Sequence, residues 1–573
     1  MKTKKTILDQ LDLPIKYLKI FRKYLTGQRL PNWNEISKNK IRHTKKSKNE
    51  NILIAVSAGG LETHLVFESM IGSILNYEGY NVDYLLCDEL LSACIMANVN
   101  RINEKDFNKH GSKKICSYCF IRSNNYLKTT GGNVLKFSDF ISTKEYDQIN
   151  YQNFEKMSFK EILNYKLDEI SLGEHANSGA IRYFASSEYE EMNHAKDILI
   201  KYLKSSIITK KVCENLFKHK KYKEVFINHG IYVPQGVILD CANKFNIMTS
   251  TWSPGYRRNS AIITRGDTYH RTLIYEDNSK WENFKFSENE EKKIDKYLKS
   301  RWYGKTDWEF FFKNPKFNIE DYFVQKGIDM NKPIVGLATN MLWDAQVYFP
   351  TNFFSGMLEW LFFTIDFFIE NPQLQLVIRI HPAEAHPSKK SVQRIENDIN
   401  KKYGKLPSNI IVIKPDDSIS TYSVFEKCNS VIVYASKIGI ETSATKIPTI
   451  ICGESFIRNK NITYDPISKH EYLEILKKIP FSSDVISKEN LKRAKKYAYH
   501  FWFRKTMEYK SLVENDLRKG IFMEIKKNLF DIYDNKKDPA LEETIKSIIN
   551  GGDYILKDEN LKNQEFNEAK FLK

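Results

Sequence analysis

Five short polar clusters hold the residues of this chain whose types and spacing suit chemistry. They are Ser57-Ala-Gly59-Gly60 with Glu62, Asn228-His229-Gly230, Asn340 to Asp344, Arg379-Ile-His381-Pro382, and Ser436-Lys-Ile-Gly439-Ile-Glu441. In the last of these, Ser436 can cap a following helix and Gly439 lets a ligand approach the backbone closely. The unpaired amides and dipole of that helix N-terminus favour a phosphate. Glu441 can accept hydrogen bonds from two vicinal hydroxyls, as an acid does for ribose in dinucleotide folds. The plainer reading of the segment alone is an ordinary capped helix. Arg379 and His381 add a cation and an imidazole that can donate to a phosphate or to a departing oxygen. Glu62, His229 and Asp344 are candidates to take a proton from an attacking hydroxyl, although each taken alone reads first as a binding or capping residue. Tyr256-Arg257-Arg258 and Arg265 can hold an anion, against the plainer reading of surface arginines. Asp416-Asp417-Ser418 reads as a helix cap. The chain contains no Asp-x-Asp. If a phosphate departs at such a site, its stabilisation falls to helix N-termini and basic side chains, and no catalytic metal is expected.

The elements that must position these clusters are legible as apolar runs. Ile52 to Val56, Tyr80 to Leu86, Glu224 to Asn228 and Phe245 to Thr251 read as buried strands, with a helix from Leu61 to Leu75. The pattern restarts near Lys332. Strands are expected at Pro333–Ala338, Leu374–Ile380, Asn409–Lys414, Ser430–Tyr434 and Pro448–Cys452, and an apolar helix at about Asn352–Ile369. Strands alternating with helices predict an α/β protein of two Rossmann-like doubly wound domains facing a cleft. Each polar cluster sits at the carboxyl end of a strand, where such sheets bind ligands. The expected organisation is a basic helical leader over 1–49, a first domain over 50–300 and a linker over 301–330. A second domain over 331–484 follows, then a C-terminal helical segment over 485–573 whose charged tail after Lys536 reads as peripheral.

Composition bounds the function class. The 573 residues carry a net charge of +17 and are 42% hydrophobic, which excludes global disorder. Residues 1–50 hold 14 Lys/Arg against four acids, a net of +10. Within them Ile15 to Leu25 reads as an amphipathic helix, suited to an anionic membrane surface or to docking on the protein's own body. No helix-turn-helix, zinc-finger or RNP signature follows, so nucleic acid is not an expected partner. The longest apolar run, Trp360 to Ile369, is broken by Asp366, and the charged N-terminus is no signal peptide; a cytosolic protein is expected. Cys87, Cys94, Cys116 and Cys119 fall within 33 residues. A structural zinc or iron–sulfur cluster on these thiols competes with plain burial.

The same clusters carry a family resemblance. The stretches Asn228 to Gly236, Arg265 to His270, Thr339 to Asp344, Arg379 to Pro382 and Ser436 to Glu441, continuing through Pro448 to Phe456, resemble the bacterial capsule polysaccharide biosynthesis proteins. That group includes Kdo transferases and related GT-B-fold glycosyltransferases. The resemblance covers roughly residues 50–480. It implies a nucleotide-sugar donor (CMP-, UDP- or GDP-linked) held in the second half by His381 and Ser436 to Glu441. It also implies a glycan or lipid-linked acceptor near Gly59, Gly60, Glu62 and His229 in the first half. The leading expectation is a glycosyltransferase acting without a catalytic metal at the inner face of the membrane. A sugar-nucleotide epimerase or hydrolase, or a non-catalytic membrane scaffold, are the alternatives.

Overall fold

In a computed structural model of the chain, the described residues are 30–33, 36, 46–303, 307–312, 315–345, 352–386, 390–482, 484–514, 524–525 and 532–561. The amphipathic segment Ile15 to Leu25 lies outside them. Among the described residues no helix is long and apolar enough to cross a membrane.

The first sheet begins with β1 (Asn51–Ser57), whose run of Ile, Leu and Val is buried on both faces. Ile52, Ile54 and Val56 face one apolar cluster, while Leu53 and Ala55 face another. Alternate residues point to opposite sides of a strand, so only a strand covered on both sides reads as a continuous apolar run. Next come β2 (Asn81–Leu86), β3 (Asn133–Lys136), β4 (Glu224–Asn228), β5 (Met248–Pro254) and β6 (Ser260–Arg265), with β12 (Thr506–Glu508) added from far along the chain. The order is β12-β6-β5-β4-β1-β2-β3. The five strands from β5 to β3 are parallel, whereas β6 runs antiparallel to both β5 and β12. The sheet is therefore mixed at one edge, a departure from the purely doubly wound expectation.

The second sheet is wholly parallel. It contains β7 (Ile334–Ala338), β8 (Gln375–Arg379), β9 (Ile410–Ile413), β10 (Ser430–Val433) and β11 (Thr449–Ile451) in the order β11-β10-β7-β8-β9. In each lobe the first strand lies between the second and the fourth, so the strand order reverses between β1 and β4 and again between β7 and β10. Helices leave opposite faces of a sheet at such a reversal and open a crevice between their ends. The ends of β1, β4, β7 and β10, where the sequence places polar clusters, meet at these two switch points. The chain forms two Rossmann-like lobes facing one cleft.

The C-terminal segment returns to the first lobe. Helix α10 (Lys488–Tyr499) packs on α9 (Ile438–Ala444) of the second lobe and on α6 (Glu288–Trp302). A π-helical turn at His500–Lys505 then feeds β12 into the first sheet. The tail after Lys536, expected to be peripheral, instead forms α11 (Pro539–Asn550), which buries Leu541, Ile545 and Ile548. Asp538 accepts from Leu541 N, proline occupies the first turn and Gly551 takes the left-handed exit (φ 77°), a complete set of helix signals. Its charge sits on the outer face only.

Candidate functional site

One cavity of about 1770 Å³ lies between the lobes at the carboxyl ends of both sheets. From the second lobe it is lined by Asn340, Asp344, His381, Ser436, Lys437 and Glu441. From the first lobe come His229, Ser253, Tyr256, Tyr269 and His270, with Arg182 at the edge. The segments around His381 and Ser436, 55 positions apart in sequence, are thus brought to one wall.

On the second lobe, Asn340 Nδ2 donates to Ala435 O, tying the ends of β7 and β10 together across the switch point. His381 Nδ1 accepts from Ala383 N at 3.1 Å, and its own backbone N donates to Thr339 Oγ1 at 3.1 Å. With Nδ1 accepting an amide, the ring proton resides on Nε2, so the imidazole is set up as a donor. Ser436 Oγ accepts from Ile438 N at 3.4 Å. The following helix, α9, is only seven residues long and its first residues are buried. Lys437 reaches across the gap, its ammonium 4.6 Å from the Tyr256 ring centroid of the first lobe.

On the first lobe, β1 and β4 both end in strained backbone. Ser57 (φ 51°) and His229 (φ 64°) occupy the left-handed region, at a cost of about 1–3 kcal/mol each. The His229 ring stacks on His270 at 5.7 Å and lies 5.0 Å from Tyr232. Burial holds His229 well below the usual histidine range, helped by His270 and Arg182. Burial likewise lowers His64 and His270 to about 4. All three imidazoles are neutral at pH 7. Asp344 enters from the β7 loop and faces Arg182 Nη1 at 3.5 Å. Arg182 packs over the Tyr232 ring at 4.8 Å. Among the three proton acceptors expected from sequence, His229 and Asp344 therefore line the cavity.

Glu62 does not. Its carboxylate accepts from Tyr118 Oη and Arg122 Nη1 on α2 (Lys113–Leu127), outside the cavity wall. Arg379 borders the cavity, but its guanidinium donates to Lys414 O (2.5 Å), Asp417 O (2.9 Å) and Thr421 Oγ1 (3.2 Å), bracing the loop after β9. Burial pushes it down to about 10, still charged at neutral pH. Arg257 donates to Glu508 (2.6 Å), Trp502 O (2.8 Å) and Thr506 O (3.0 Å) and so pins β12. Arg265 donates to Glu224 (3.1 Å) and Ser547 O (2.7 Å) and pins α11. Both dock the returning tail and stay off the cavity wall. Glu441 lines the cavity, yet its carboxylate already faces Arg301 Nη2 at 2.9 Å. A Cβ on Gly439 would meet Ile451 Cδ1 at 2.8 Å, and one on Gly59 would meet Cys119 O at 2.8 Å. A Cβ on Gly60 would meet Met96 Cε at 2.6 Å. Gly59 and Gly439 thus make room for neighbouring elements and Gly60 for the Met96 side chain, and none of the three lines the cavity.

The four cysteines form no metal site. Among the described residues no group of three or more His, Cys, Asp or Glu side chains could hold a metal. Cys116 Sγ donates to Ser112 O at 3.1 Å, and burial pushes the Cys87 thiol up to about 12, with Cys94 adding to the effect. Thiols held protonated behave as small apolar side chains.

Residues that local reading missed are Arg182, His64 and Lys437. Arg182 and His64 sit inside helices α3 (Leu172–Phe184) and α1 (Glu62–Tyr77), where a lone polar residue reads as part of an amphipathic face. Only their position beside β4 reveals them.

Topology and cleft together define the class: a two-lobed Rossmann-type α/β protein with its site between the lobes. No family model matches the sequence, and no curated protein matches it. Among solved structures the chain is similar to the Thermosulfurimonas dismutans KpsC beta Kdo 2,4 transferase, at 14% identity over 48% of this chain and 79% of that one (TM-score 0.34). It is similar also to the beta Kdo 2,7 transferase of the same organism, at 14% identity over 59% and 89% of the two chains (TM-score 0.30). A third similar structure is the UDP-GlcNAc 2-epimerase of Neisseria meningitidis bound to UDP-GlcNAc, at 8% identity over 78% and 95% (TM-score 0.24).

Proposed function

We propose that the chain is a glycosyltransferase: the second lobe binds a nucleotide-sugar donor and the first lobe presents an acceptor hydroxyl to it. The observation that carries this reading is the opposition of two switch points across one cavity of about 1770 Å³. A pocket for one small ligand is commonly about 300–1,000 Å³, so the space suits two substrates. His381 Nε2–H and the Lys437 ammonium, with the amides near Ser436, stabilise the charge that develops on the departing nucleotide phosphate. Asp344, held beside Arg182, is the group that takes the proton of the attacking acceptor hydroxyl. His229 is less suited, because a ring held well below the usual histidine range is a weak base. The net charge of +10 over residues 1–50 favours an acceptor carried on an anionic surface.

Thermal-shift screening of CMP-, UDP- and GDP-linked sugars tests the donor site, since a bound ligand stabilises by RT ln(1 + [L]/Kd). Transfer to an added glycan by the full chain tests the reaction. With Asp344→Asn, turnover should fall about 10²–10⁴-fold while the nucleotide-induced shift stays. Absence of any shift across the panel rejects the reading. An epimer or free sugar as main product, with no transfer, selects the epimerase or hydrolase alternative.

A further inference from the structure

The carboxyl edge of the first sheet holds more unpartnered polar atoms than its packing explains. His64 Nδ1, His229 Nδ1, His270 Nε2, Ser57 Oγ, Asn228 Oδ1 and Ser253 Oγ are all buried without a hydrogen-bond partner. They arise from β1, α1, β4, β5 and the short helix Tyr269–Thr272, separate elements converging on the first switch point. An orphaned buried polar atom costs about 1–3 kcal/mol. Six of them at one edge call for a ligand. Ser253 is 3% exposed and lines the cavity, as do His229 and His270.

Charge and shape restrict what fits. The arginines around this edge are already engaged: Arg182 faces Asp344 at 3.5 Å, Arg271 binds Glu174 at 2.9 Å, and Arg257 and Arg265 dock the tail. Neutral imidazoles each offer one N–H and one lone pair, and Ser253 offers the same pairing in its hydroxyl. Such groups match hydroxyls, which also donate and accept, better than a carboxylate that only accepts. Tyr269 supplies an aromatic wall to the cavity, its ring 4.1 Å from that of His270.

We infer that this edge is a subsite for an uncharged, polyhydroxylated sugar ring, its hydroxyls read by His229, His270 and Ser253 and its C–H face resting on Tyr269. That this ring is the acceptor rests on the glycosyl-transfer reading; that it is a sugar site does not.

The full chain is titrated with methyl glycosides of neutral hexoses and N-acetylhexosamines, and separately with methyl glucuronide, by saturation-transfer NMR at pH 7.5. Neutral glycosides should bind in preference to the anionic one. His270→Gln and Ser253→Ala should each weaken the neutral glycosides about 10-fold. The nucleotide-induced thermal shift should be unchanged in both, which also shows that the variants fold. If His270→Gln does not fold, Ser253→Ala decides. Preferential binding of the glucuronide, or neutral-sugar affinity unchanged in the folded variants, overturns the inference. Histidine-dependent sugar binding in a chain that no nucleotide stabilises supports the subsite while rejecting the donor site.

Discussion

The two lobes share one strand order and differ in what stands at its carboxyl end. In the second lobe the end of β10 carries Ser436 and Lys437 on the wall that also holds His381, with the Glu441–Arg301 ion pair lining the same cavity. In the first, the ends of β1 and β4 carry strained backbone and neutral imidazoles against tyrosine rings. Topology opens a crevice in both, and on the proposed reading side-chain chemistry divides them into an anion-facing wall and a neutral, hydroxyl-facing wall. A shared fold therefore predicts where ligands sit, not which ones.

The largest expected effect tests whether the second wall depends on its buried ion pair. Arg301→Met leaves Glu441 and Asp307 without their shared cation, both being at most 7% exposed. Losing one partner of a buried pair costs about 3–5 kcal/mol, read as a fall in melting temperature. An unchanged melting temperature would break the claim that this carboxylate is structural.

The first wall is probed by acid. His64 and His270 bind their proton more readily in the unfolded chain, where the ordinary value is 6.5, than in the folded one at about 4. Their contribution is thus fully present above pH 6.5 and is lost as pH falls toward 4, up to about 3 kcal/mol for each. A series of melting curves from pH 7.5 to 4.5 should steepen over that window. His64→Gln should flatten it, and an equally steep variant would show that other groups govern the acid limb.

A smaller effect sharpens the anion-facing assignment. His381→Ala removes one donor to a charged group, worth about 1.5–3 kcal/mol, so nucleotide affinity measured by calorimetry should fall about 10–100-fold. Neutral glycosides should be unaffected, which separates the two walls in one variant. The smallest effect concerns the cysteines. Because no group of metal-ligating side chains is found among the described residues, EDTA should leave the melting temperature unchanged. A drop on chelation, with zinc found by mass spectrometry, would reinstate a metal site.

Much of the scaffold was legible because buried parallel strands are short apolar runs that end abruptly in polar residues. β1, β7, β8 and β10 fall within a residue or two of the segments their composition indicates. The mixed edge was not legible: β6 is antiparallel and β12 pairs with it from over 240 positions away, and a three-residue strand carries no pattern of its own. Site residues divide in the same way. His229, Asp344, His381 and Ser436 were visible because each follows a strand. Arg257, Arg265 and Arg379 look in sequence like ligand-binding cations, and only their distant carbonyl and carboxylate partners show that they hold the protein together.

Sequence alone determined that there are two α/β lobes and that polar residues gather at their strand ends, since burial and backbone periodicity are local properties. Tertiary structure decided which charges are neutralised, which histidines converge and which glycines serve packing. Those outcomes depend on contacts between residues far apart in the chain, and a side chain's availability to a ligand is whatever those contacts leave over.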